Sequence, residues 1–171
     1  MTRAIIQARM GSKRLRGKSL IPVAGIPLLK RVVGTVKQLP FIDEVYIATT
    51  ILEEDDTIEI LSNEYNVKCF RGDSLNVLKR YADAASDMDE KDNIVRITAD
   101  NPFNWLEVSQ CLYDIHEDHG NDYTCIDGLS KIVCEVIRVR ALKEAAIQEN
   151  LSPFDKEHVT PYLYTSGKYK K

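Results

Sequence analysis

The sequence predicts a three-layer α/β/α domain built on a mainly parallel sheet. Short apolar runs alternate with amphipathic stretches of helical spacing, the pattern of a parallel sheet covered on both faces. A length of 171 residues fits one domain, 1–171, with enough chain to bury a core. The composition, 44% hydrophobic and 29% charged, is that of an ordinary globular chain, so neither disorder nor a fibrous class is expected.

The first strand is expected at Arg3–Ala8, almost at residue one, followed by a long loop to Pro27. Leu28 to Leu39 has apolar residues at Leu28, Leu29, Val32, Val33 and Val36, a helical spacing that Pro40 ends. Glu44–Thr49 reads as the second strand, Glu54–Tyr65 as a helix and Val67–Phe70 as a brief third strand stopped by Arg71-Gly72-Asp73. A helix over Ser74–Ser86 leads to a fourth strand, Asn93–Thr98, which ends at Ala99-Asp100-Asn101-Pro102. Asn104–His116 reads as helix, Asp122–Cys125 and Lys131–Val139 as strands, and Arg140–Asn150 and Asp155–Tyr164 as helices. His116 and His119 are expected at an exposed helix end.

Charge and cysteine usage narrow the function. A net charge of −3 argues against a general nucleic-acid binder. Cys69, Cys111, Cys125 and Cys134 form no CxxC pair, so no zinc site is expected. No apolar run is long enough to span a bilayer and no signal peptide precedes the first strand, so the expectation is a cytoplasmic protein with reduced thiols and no membrane partner.

The positive charge is concentrated. Arg9, Lys13, Arg14, Arg16 and Lys18 lie within residues 9–18 with no acid among them. Ligands of open α/β sheets sit beyond the carboxyl ends of the strands, which is where a loop leaving Ala8 lies. Gly11 and Gly17 permit close backbone approach, Ser12 adds a hydroxyl, and Arg and Lys give charge-assisted bonds to phosphate oxygens. Gly17-Lys18-Ser19 imitates the end of a Walker A loop. However, five residues separate Gly11 from Gly17 where that motif has four, and Pro22, Gly25 and Pro27 follow where its helix would run.

Asp100, at the end of the fourth strand, faces the same edge. Two roles suit it: an oxygen ligand for Mg²⁺ shared with phosphates, or a cap for the next helix, a role open equally to Asn101 or Asn104. Arg71 and Arg80 are placed either to reach a ligand or to form surface salt bridges, and Asp73 suits a helix cap. Glu157-His158 reads as a helix-initiating acid beside a structural histidine, with acid–base chemistry the second reading. The run Glu53-Glu54-Asp55-Asp56 has the sign of a helix N-terminus.

The segment Ile5–Leu20 resembles the opening signature of the cytidylyltransferases that make CMP-activated acidic sugars, and within them the spore coat polysaccharide biosynthesis (SpsF-like) branch. Arg9, Ser12, Arg14 and Lys18 match Arg-x-x-Ser-x-Arg-x-x-x-Lys, with Arg16 where a Pro is usual. Val45–Thr50, Phe70–Asp73, Val77–Tyr81, Val95–Pro102 and Glu157–Tyr162 are similar to later segments, with Asn76 where Asp is common. The resemblance implies a Rossmann-like nucleotide-diphospho-sugar transferase (GT-A-like) fold and transfer of CMP from CTP to an acidic sugar in surface glycan synthesis. It implies Mg²⁺ on Asp100 and a homodimer. Ala8, Arg9, Met10, Gly11, Ser12, Arg14, Lys18 and Arg71 would bind the nucleotide, Arg9, Lys18 and Asp100 would act in catalysis, and Glu135 and His158 would lie by the sugar.

Two departures stand out. Val133 replaces an Asp that the family carries two residues before Glu135, and the sequence ends at Lys171, ahead of an Asp-rich segment that holds a second metal-coordinating carboxylate. Two other readings accompany the enzyme: a non-catalytic nucleotide-binding or assembly module of the same fold, and a glycosyltransferase using an intact nucleotide-sugar. The Asp-x-Asp match for the latter, Asp87-Met-Asp89, falls on an expected helix.

Overall fold

The computed structural model describes residues 1–12 and 15–171. Eight strands run in chain order: β1 Thr2–Gln7, β2 Pro22–Val23, β3 Ile26–Pro27, β4 Glu44–Thr50, β5 Lys68–Gly72, β6 Asn93–Thr98, β7 Tyr123–Thr124 and β8 Glu135–Arg138. Seven α-helices join them: α1 Leu28–Val36, α2 Asp56–Glu64, α3 Val77–Ala84, α4 Leu106–His119, α5 Val139–Ala146, α6 Pro153–His158 and α7 Pro161–Thr165.

Six strands form one sheet in the order β5-β4-β1-β6-β8-β7. The first four are parallel, and β8 and β7 each run antiparallel to the neighbour before them. β1 is central and buried, so its residues are apolar on both faces, as a covered parallel strand requires. Ala4, Ile6, Ile47, Val95 and Val136 face a core closed by Leu29, Val32 and Val33 of α1, Ile58 of α2 and Leu112 of α4. Ile5, Ile94 and Ile137 face the other core, closed by Leu78 and Tyr81 of α3, Leu142 and Ala145 of α5, and Leu163 of α7. The result is the three-layer α/β/α arrangement expected.

The chain leaves β1 toward β4 on one side, and β6 lies on the other. That reversal of order opens a crevice at the carboxyl ends of β1 and β6, the place where open α/β sheets bind ligands. Gln7 and Thr98 are in register there, and the Ala99 N–H donates to the Gln7 carbonyl at 3.0 Å.

Four local expectations are corrected. The loop to Pro27 contains the β2–β3 hairpin, turned by Ala24 (φ 48°) and Gly25 (φ 77°) and tied to α1 by Arg31, which donates to the Val23 and Ala24 carbonyls. The expected helix Asp155–Tyr164 is two helices, because Pro161 cannot extend α6 and Val159 takes φ 72°. The strand expected over Lys131–Val139 is confined to Glu135–Arg138. His116 is fully buried, on the same stripe of α4 as Ser109 and Leu112, while His119 is exposed.

Candidate functional site

The loop after β1 is held from below by one acid. Asp55 is fully buried; its Oδ1 accepts the Met10 N–H at 2.6 Å and its Oδ2 accepts the Thr50 hydroxyl. The Met10 carbonyl then accepts two N–H groups, from Ser12 and Gly17, both at 2.9 Å, which folds the loop back on itself. Gly17 (φ 70°) supplies the left-handed residue that turns the chain into the 3₁₀ segment Lys18–Leu20. Arg16 pairs with Glu54 at 2.9 Å. The acidic run after β4 is therefore the floor of the basic loop, and Asp55 is a site residue that the helix-terminus reading of the sequence passed over.

The geometry brings Lys18 to Asp100. Their Nζ–Oδ2 distance is 2.5 Å across the mouth of the crevice, with both side chains partly exposed. Burial pushes the Asp100 carboxyl up, but hydrogen bonds from Lys18 and Thr98 outweigh it and hold the group below the usual carboxylate range. Asp100 caps no helix: α4 begins at Leu106 behind Trp105, which offers no side-chain cap. Asn104 instead accepts the Ser109 hydroxyl.

Arg9 leaves the loop toward α6, 3.9 Å from Glu157. Ala8 is buried, its N–H bonded to the Ala48 carbonyl at 3.2 Å. The expected ligand Arg14, and Lys13, lie outside the described residues. Arg71 is drawn elsewhere: its guanidinium donates to the Thr50 and Leu52 carbonyls at 3.0 and 2.9 Å and pairs with Asp56 and Glu59 at 2.6 and 2.8 Å. It braces the chain after β4. Asp73 accepts the Leu75 and Asn76 N–H groups, each at 2.8 Å, and Asn76 caps α3 through the Lys79 N–H.

Beside the crevice lies a cleft of about 740 Å³ whose lining includes Arg96, Tyr123, Glu135, His158, Thr160 and Tyr164. Glu135 is buried at its wall and accepts from Arg96, from the Tyr123 hydroxyl at 2.5 Å and from the Thr160 hydroxyl at 3.2 Å. Thr160 reaches it because Val159 makes a γ-turn of the strained hand, φ 72° and ψ −55°, with the Thr160 N–H on the His158 carbonyl at 2.8 Å. Glu157 and His158 close α6 instead of opening a helix, and the exposed His158 ring packs on Phe154 at 4.4 Å. Sequence reasoning found Glu135 and His158 but not Arg96, Tyr123 or Thr160, which only strand register and the γ-turn bring to them.

Val133, at the position of the family's Asp, is buried and apolar. Asp87 pairs with Arg3 at 2.7 Å at the amino edge of the sheet, in a turn after α3, so Asp87-Met-Asp89 stands away from the crevice and the glycosyltransferase reading loses its metal motif.

Residues 3–169 match the family model described as Cytidylyltransferase. The chain is 38% identical over 164 residues to an uncharacterised protein of Methanocaldococcus jannaschii, covering 94% of this chain and 65% of that protein. It is 36% identical over 164 residues to the spore coat polysaccharide biosynthesis protein SpsF of Bacillus subtilis, covering 93% and 68%. The solved structure of a cytidylyltransferase from Leptospira borgpetersenii superposes with a TM-score of 0.85 at 27% identity, over 98% of this chain and 73% of that one. The chain thus spans about two thirds of the length of these curated relatives. A basic loop and a strand-end carboxylate meet at the switch point of a sheet that this family shares, and the chain belongs to the cytidylyltransferase family.

Proposed function

We propose that the protein transfers CMP from CTP to an acidic sugar, with release of pyrophosphate, in the synthesis of a surface polysaccharide. The observation that carries this reading is the meeting of Lys18 with Asp100 at the crevice mouth, inside a chain of this family. A sugar hydroxyl attacks the α-phosphorus, the bond from that phosphorus to the bridging oxygen breaks, pyrophosphate departs with the electron pair, and the hydroxyl proton passes to solvent. No protein nucleophile is required. Arg9 and Lys18 stabilise the charge that grows on the phosphates, so the protein acts by position and electrostatics.

Asp100 fits Mg²⁺ as a single hard oxygen ligand. Among the described residues no group of three or more His, Cys, Asp or Glu side chains surrounds a common point, so the other ligands would be phosphate oxygens and water, as Mg²⁺ prefers. Such an ion would neutralise phosphate charge. The cleft at Glu135 and His158 is the place for the acceptor.

Pyrophosphate release from CTP, measured on the full-length protein with a panel of acidic sugars, tests the proposal. Release with one of them supports it. CTP binding without release supports the alternative of a nucleotide-binding module of the same fold. Absence of CTP binding overturns both.

A further inference from the structure

Arg80, on α3, is 1% exposed, yet its charge is left without an acidic partner among the described residues. Its one side-chain hydrogen bond runs from Nη1 to the Asp73 carbonyl at 2.7 Å. Its Nε is buried and bonded to nothing described. Burial pulls its pKa down, and Arg9 adds repulsion from the same side. A buried cation without a counter-ion costs the fold stability, which side chains chosen for packing alone avoid. The other buried guanidinium of this protein shows the contrast: Arg3, at the amino edge of the sheet, has two carboxylates, Glu44 and Asp87.

The position of Arg80 supplies the reason for the exception. Its stem lies against Gly72, the last residue of β5, and its guanidinium is held by Asp73, so it sits at the carboxyl edge of β4 and β5. The charges that act on it include Arg9 and Asp55, the residues that bear and anchor the basic loop. Lys18 and Asp100 stand on the other side of β1, toward β6. A nucleotide with its phosphates between Lys18 and Asp100, laid across the end of β1, brings its nucleoside end to the β4–β5 side.

We infer that Arg80 is a nucleotide-binding residue whose unpaired guanidinium is kept for an oxygen at the nucleoside end of the ligand. The inference rests on the reading that this crevice binds CTP. It separates two properties that usually fall together: Arg80 should contribute to ligand affinity and not to the stability of the free protein.

The test compares the wild-type chain with Arg80→Met, which keeps the apolar stem and removes the charge. Thermal unfolding of the free variant should occur at or above the wild-type temperature, while its affinities for CTP and CMP by calorimetry fall about tenfold or more, the scale of a lost charged hydrogen bond. Affinity for inorganic tripolyphosphate, which has no nucleoside, should stay unchanged. Wild-type affinity for CTP in the variant overturns the inference, and so does an equal loss for tripolyphosphate. A variant too unstable to fold also counts against it, and the wild-type protein then gives a second reading. The Arg80 Nε–H proton resonance should move and exchange more slowly on addition of CTP; an unmoved resonance overturns the inference without any substitution. Failure of the wild-type chain to bind CTP would instead sink the functional reading on which the inference stands.

Discussion

Lys18 and Asp100 are 82 residues apart in sequence and 2.5 Å apart in space, joined only because β1 and β6 are neighbours whose carboxyl ends face one crevice. The pair gives opposite predictions for its two members. Lys18→Met removes a phosphate-binding cation and should weaken CTP binding about tenfold or more, with or without Mg²⁺. Asp100→Asn releases Lys18 from its counter-ion, so in a chelating buffer CTP affinity should hold or rise, while the gain on adding Mg²⁺ disappears. Calorimetric titration of both variants in each buffer decides this. A Mg²⁺ gain that survives Asp100→Asn would remove Asp100 from the metal site.

Asp55 should matter more to the loop than any of the cations it supports. Asp55→Ala leaves the Met10 N–H and the Thr50 hydroxyl without their partner in a buried place. The expected loss of unfolding free energy is on the order of 2–3 kcal/mol, with weaker CTP binding alongside. Asp55→Asn keeps an oxygen for the Met10 N–H and turns an amide to the Thr50 hydroxyl, which can rotate to accept, so it should recover most of that loss. Chemical denaturation of the two variants checks the order; equal losses would mean that the charge, not the geometry, matters.

What the sequence disclosed follows from range. The central strands were legible because burial on both faces leaves continuous apolar runs, as in Arg3–Ala8 and Asn93–Thr98. Lys18 and Asp100 were legible as site residues because each follows such a run, and parallel strands send their carboxyl ends to one edge. Asp55 was hidden inside an acidic run that looks the same whether it caps a helix or clasps a loop 45 residues upstream. Arg96 and Glu135 met only through antiparallel register between β6 and β8, and no local pattern encodes that pairing. His116 did leave a signal: it shares the buried stripe of α4 with Ser109 and Leu112, a helical spacing outweighed in the reading by the charged Glu117 and Asp118 beside it.

Gly72 carries a steric constraint that bears on Arg80. A methyl group there would stand 2.7 Å from the Phe70 ring edge and 3.1 Å from Arg80 Cγ. The ring can swing, but the arginine stem is enclosed and has to shift. Gly72→Ala should therefore cost about 1–3 kcal/mol of stability, the usual range for overpacking, and should lower CTP affinity through the displaced guanidinium. Unchanged stability by thermal unfolding would show that α3 is free to move away from β5.

His116 gives the fold a pH dependence. The Asn93 side chain donates through Nδ2 to Glu117 at 2.8 Å, so its oxygen faces His116 Nε2 at 3.1 Å and must accept from it. Nε2 therefore carries the proton, and Nδ1 accepts from the Thr124 hydroxyl at 2.9 Å. This neutral ring has no room for a second proton. Burial, with Arg138 nearby, pushes its pKa down to about 4 from 6.5. Between those values the unfolded chain binds a proton that the folded chain refuses, so stability falls as pH drops from 6.5 toward 4. The shift corresponds to on the order of 3 kcal/mol across that window. Paired carboxylates such as Asp87, held at about 2, lose their contribution only at lower pH and do not mimic the effect. Urea denaturation at steps from pH 7 to pH 4.5 should show the decline in the wild-type chain. His116→Gln, which can keep one donor on Asn93 and cannot titrate, should be less stable at pH 7 but nearly flat over the same range. A variant that declines in parallel with the wild type would assign the acid sensitivity to another group.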